Sequence, residues 1–138
     1  MKILLLGLSL LLSGCAATPQ PTLLPILHRT MINDLALLVW RRYPPALHSV
    51  ALSAQPPAHT ELAATLRKLG YAIHADDTAP RQAQRVQLHT EPLDTARWLL
   101  TVHWGSTVFA RAYGPVRGGA GWAATSPWSQ REAQSDAS

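Results

Sequence analysis

Apolar residues recur with two periods along this chain, and the switch between them outlines its elements. From Leu27 to about Arg42 the spacing is helical: Leu27, Met31, Leu35 and Leu38 recur every three or four residues, and Ile32 and Val39 widen the stripe. Arg41 and Arg42 stand in the last turn, where cations complement the helix dipole, and Tyr43-Pro44-Pro45 ends the element. Val50, Leu52 and Ala54 then alternate as a short strand closed by Gln55-Pro56-Pro57. A second helix is predicted from about Thr60, read as its N-cap, through Leu62, Leu66 and Leu69. Gly70 follows, where a left-handed residue closes a helix.

Beyond Gly70 the period shortens to two. Tyr71, Ile73 and Ala75 read as a second strand, Asp76 to Gln84 as a polar loop, and Val86, Leu88 and Thr90 as a third strand ending near Glu91-Pro92. The strongest alternation runs from Trp98 to Tyr113. Trp98, Leu100, Val102 and Trp104 share one face, Phe109, Arg111 and Tyr113 continue after a turn at Gly105-Ser106, and the whole reads as a hairpin. Helix, strand, helix and four further strands specify an α+β domain, with two helices packed on one face of a mostly antiparallel sheet.

The two ends follow neither period. Lys2 precedes an apolar run from Ile3 to Leu12, and small residues then lead to Cys15, the order of a secretory signal. The run is about half the length a helix needs to cross a bilayer, so it reads as a targeting segment over residues 1–14 and not a permanent span. Leu12-Ser13-Gly14-Cys15 resembles the lipobox of bacterial lipoproteins, which implies a lipid on the Cys15 thiol and cleavage that makes Cys15 the new N-terminus. An ordinary signal cleaved after Ala17 is the other way to read these residues. In such lipoproteins an aspartate after the cysteine favours inner-membrane retention; Ala16 stands there instead, which implies the periplasmic face of the outer membrane. Residues 15–25, with Pro19 and Pro21, read as an extended tether, 26–125 as the folded domain, and 126–138, rich in Ser, Gln and Ala, as a disordered tail.

Composition narrows the function classes. Cys15 is the only cysteine, so no disulfide can form within the chain. From Cys15 onward eleven Lys and Arg face eight Asp and Glu, and the basic residues are scattered singly apart from Arg41-Arg42 and Arg67-Lys68. That pattern forms no basic stripe, and no direct nucleic-acid binding is expected.

No catalytic or metal-binding pattern stands out along the chain. His28, His48, His59, His74, His89 and His103 lie 11 to 20 residues apart, without the local pairing that zinc sites draw on, and read as surface or sheet-edge residues. Gly105-Ser106 lacks the second glycine of a nucleophile elbow and suits a hairpin turn. Asp76, Asp77, Glu91 and Asp94 sit at turns and form no acid–base pair. Gly114 to Trp122 is glycine-rich but lacks the Gly-Lys-Ser/Thr ending of a phosphate loop. No cofactor is expected. Trp98 and Trp104 read as core. Trp122 and Trp128, in glycine- and serine-rich surroundings, read either as anchors for a partner chain or as residues that fold back to cap the sheet.

Several short motifs together resemble TrbH, the lipoprotein of conjugative mating-pair-formation systems, a branch of type IV secretion. They are the lipobox at Cys15, the helix running into Tyr43-Pro44-Pro45-Ala46, the junction Leu66-Arg67-Lys68-Leu69-Gly70-Tyr71-Ala72, and Ala110-Arg111-Ala112-Tyr113 with Trp122 downstream. The resemblance implies a nonenzymatic subunit of the outer-membrane core of a conjugation channel, partnered by other subunits and homo-oligomeric within a ring. The alternatives are a pilotin or accessory lipoprotein of another envelope assembly, or a lipid-tethered periplasmic hydrolase.

Overall fold

A computed structural model describes residues 25–53, 58–118 and 121–133. Cys15, the signal, the tether up to residue 24 and residues 134–138 lie outside these described residues. The elements are α1 (Pro25–Arg42), β1 (Val50–Leu52), α2 (Ala58–Lys68), β2 (Ile73–Ala75), β3 (Gln84–Pro92), β4 (Trp98–Trp104), β5 (Thr107–Pro115), β6 (Trp122–Ala124) and β7 (Ser129–Glu132). The strands lie in the order β2-β1-β3-β4-β5-β6, and β7 also pairs with β5. β1 is parallel to both β2 and β3, which α2 makes possible as a crossover, and every other pairing is antiparallel. The α+β architecture expected from the periodicity is the one observed.

Register explains where the core lies. Val86 faces Trp104, Leu88 faces Val102, Val102 faces Phe109, and Trp98 faces Tyr113, so these rows project from one face of the sheet. They merge with Leu27, Met31, Ile32, Leu35, Ala36 and Val39 of α1 and with Leu62, Ala63 and Leu66 of α2 into a single buried cluster. The opposite face exposes Gln87, His89 and His103. Tyr43 stacks on Trp104 at 5.3 Å and 17°, so the turn after α1 closes one end of the core.

Local chemistry sets the junctions. Gly70, at φ +98°, closes α2: the Tyr71 amide donates to the Leu66 carbonyl and the Gly70 amide to Arg67, a Schellman pair. Buried Tyr71 and Leu66 provide the apolar contact of that motif. Between β4 and β5, Gly105 at φ +57° precedes Ser106, whose φ is negative, as a two-residue II′ turn requires. The Tyr71 hydroxyl lies within hydrogen-bond distance of the Val39 carbonyl (3.0 Å) and of the Tyr43 carbonyl, and so serves the C-terminal end of α1.

Three readings change. Residues 126–133, expected as tail, join the sheet: β7 pairs with Thr107–Ala110 of β5, and the Ser126 hydroxyl accepts from the Ala112 amide in the bend between β6 and β7. Thr60 is no N-cap, because α2 already runs from Ala58. His59, read with the other histidines as peripheral, is buried at 1% exposure. Its burial is compatible with a polar ring because both ring nitrogens are hydrogen-bonded.

Candidate interaction surface

A helix that is apolar on one side buries that side, but α1 also carries large apolar residues outside its buried side. With Leu27, Met31, Ile32, Leu35, Ala36 and Val39 turned inward, Ile26, Leu37 and Trp40 remain outside, exposed at 58%, 46% and 48%. Asn33, Ala36, Leu37 and Trp40 of α1 meet Thr65 and Leu69, at the end of α2, around an open groove of about 340 Å³. Only Asn33 and Thr65 bring polar side chains to its walls. A continuous apolar groove on the outer surface of a helix layer is the kind of feature that marks an interaction site.

A second hollow, of about 250 Å³, is lined by Ser53, His59, Thr60, Arg67 and His74 among others, and superficially offers a nucleophile beside a base. The Ser53 hydroxyl is 3.1 Å from His59 Nδ1. The ring, however, is committed elsewhere. His59 Nε2 accepts from the Leu88 amide at 3.1 Å, which places the ring proton on Nδ1, and Nδ1–H points to the Ser53 carbonyl at 2.9 Å. A histidine held in that tautomer cannot take a proton from Ser53 through Nδ1. Its role is structural: it ties α2 to β3 just past the end of β1, where the Leu88 amide has run out of parallel strand to bond.

The C-terminal segment is held to α1 by a third cluster. Arg111 Nη1 donates to Asp34 at 3.0 Å, the Tyr113 hydroxyl donates to the same carboxylate oxygen at 3.1 Å, and Arg111 Nε donates to the Ser126 carbonyl at 3.0 Å. Arg111 also lies over the Trp128 ring, 5.4 Å from its centroid, and that ring meets Phe109 edge-on at 6.5 Å. Arg42 caps Phe109 from the helix side at 5.8 Å and hydrogen-bonds Gln130 of β7. Burial, and secondarily the Asp34 charge, raise Tyr113 far above the ordinary tyrosine pKa, so it stays a neutral donor.

Trp122 and Trp128 are both half-buried and packed against the core cluster. Cys15 lies outside the described residues. Among the described residues no group of three or more His, Cys, Asp or Glu side chains is assembled to hold a metal ion, and no helix is long and apolar enough to cross a membrane. Sequence reading missed Leu37 and Trp40. Their signal was the unbroken run Leu35-Ala36-Leu37-Leu38-Val39-Trp40, more apolar residues than one buried stripe can absorb.

No curated protein and no solved structure matches the chain. The family model described as conjugal transfer protein TrbH matches residues 13–132, nearly the whole length, and the chain belongs to that family.

Proposed function

We propose that this protein is an outer-membrane lipoprotein and a structural subunit of a conjugative type IV secretion core complex. Cys15 carries the lipid, and the domain docks on neighbouring subunits, including further copies of itself in a ring. The observation that carries the docking is the groove between α1 and α2, where Leu37 and Trp40 stand exposed on a helix whose other side already fills the core. Membership of a conjugal transfer family supports other transfer subunits as the partners. The lipobox residues Ser13, Gly14 and Cys15 fall within the family match, which supports the anchor. A lipid with two or more acyl chains holds a protein stably at a membrane, whereas one chain holds only marginally.

Trp122 and Trp128, both only half-buried, offer a second docking edge. The test is membrane extraction from cells that carry the transfer system. Cys15→Ser should abolish fatty-acid labelling and release the protein from the outer membrane; labelling that persists would overturn the anchor. Leu37→Ser with Trp40→Ser, and separately Trp122→Ala with Trp128→Ala, should fold yet lose co-purifying transfer subunits. Undiminished co-purification in both would overturn docking through these surfaces.

A further inference from the structure

Along the exposed side of α1, Ile26, Thr30, Asn33, Leu37 and Trp40 succeed one another in alternating steps of four and three residues. This is the a/d spacing with which one helix packs along another, and it lies on the side of α1 away from the domain's own core. The stripe extends about 21 Å along the axis at 1.5 Å per residue. Over its second half Thr65 of α2 and Leu69 just beyond it raise the other wall, so the surface is a concave trough and not a flat face.

Charge selects the occupant. Arg29 lies one turn before Asn33, Arg41 one turn after Leu37, and Lys68 next to Leu69; among the described residues none of the three enters an ion pair. The acids nearest the trough are already engaged, Asp34 by Arg111 and Tyr113, and Glu61 by His28 at 2.9 Å. The trough thus has a mostly apolar lining, and the basic residues that flank its lining positions along the two helices are unpaired among the described residues. We propose that it receives an amphipathic helix from another protein chain, with large apolar residues at heptad spacing and Asp or Glu flanking them. Helix-in-groove recognition uses such anchors, and acidic flanks answer the basic residues.

Two other occupants fit less well. A second copy docked through the same face would bring two basic rims together, each carrying Arg29, Arg41 and Lys68. A bilayer surface is flat and would have to accommodate Asn33 in mid-stripe, a position where a helix partner tolerates a polar residue and uses it to set register.

The inference rests on the helix layer being a docking surface, and its test separates the two. The purified full chain is titrated with two labelled synthetic helical peptides that share a leucine heptad stripe and carry either Glu or Lys on the flanks. The Glu peptide should bind about tenfold more tightly than the Lys peptide, and Leu37→Ser or Trp40→Ser should weaken it about tenfold. Arg41→Glu, at an exposed position, should narrow or reverse the preference, while Leu93→Ser, an exposed apolar site in the β3–β4 loop, should leave binding unchanged. Circular dichroism verifies the fold of each variant. Absent binding, or equal binding of both peptides, overturns the proposal. So does attachment to phosphatidylethanolamine–phosphatidylglycerol vesicles that Trp40→Ser removes, or self-association that Leu37→Ser removes. If neither peptide binds but transfer subunits still co-purify through Leu37 and Trp40, the acidic helix falls and docking stands.

Discussion

The Tyr113 hydroxyl of β5 donates to the Asp34 carboxylate of α1 across 79 positions of chain, and Arg111 joins the same oxygen from two residues earlier on the strand. The Asp34 and Arg111 side chains are 33% and 24% exposed, between a surface ion pair and a buried one. Asp34→Ala should therefore cost about 1–3 kcal/mol, because it strands a guanidinium and a phenol together. Thermal unfolding should show the midpoint lowered by several degrees; an unchanged midpoint would show that the cluster does not hold α1 to the sheet.

Alkali should act on the same tyrosine. Tyr113 is raised well above the ordinary value near 10, first by burial and then by Asp34, and burial raises Tyr71 as well. Since the fold favours the protonated phenols, their stabilisation is complete below about pH 10 and falls as pH rises, because the unfolded chain ionises first. Denaturant unfolding on either side of that pH should show the decline. Tyr113→Phe should flatten it while lowering the plateau at neutral pH through the lost hydrogen bond.

His59 replaces a missing piece of β-ladder for Leu88, so its removal should be visible at one amide. His59→Ala leaves the Leu88 N–H buried without its acceptor and opens space in the core, a loss of about 2–4 kcal/mol. Hydrogen exchange at Leu88 should accelerate more than at Val86. Equal protection in the variant would mean that another acceptor takes the bond.

Gly70 is constrained by backbone conformation and not by space, since an added Cβ would come no nearer than 3.8 Å to Pro45. Gly70→Ala should destabilise the domain by about 1–2 kcal/mol through its positive φ alone, and Gly70→Asn by less, because asparagine tolerates that region better. Chemical denaturation of the two variants should reproduce that order.

Elements whose information is local were legible in the sequence. The α1 stripe, the Gly70 cap and the Trp98–Tyr113 hairpin each announce themselves within a few residues, and the structure has them where periodicity predicts. Strand β7 was not legible. Ser-Gln-Arg-Glu shows no alternation and all four residues are exposed, so the segment is held by its pairing with β5 and by Trp128 beside it. His59 was missed for a related reason: its donor partner, the Leu88 amide, is 29 residues away, and nothing in the spacing of histidines reveals a bond from a backbone amide. The groove itself needed both helices in place. Leu37 and Trp40 belong to α1 and Leu69 to the turn after α2, and only packing brings them to one trough.

The position of β7 also bears on how the molecule tolerates being shortened. Thr107–Ala110 of β5 have β4 on one side and β7 on the other. A chain ending near Ser126 would keep both helices and most of the core. It would also turn a paired interior strand into a bare margin, with unbonded amides and carbonyls beside Val108 and Phe109. Such a product should keep its helical signal while precipitating at concentrations at which the intact chain remains dispersed. The polar last strand acts as a selvedge, finishing the sheet so that it does not knit onto its neighbours.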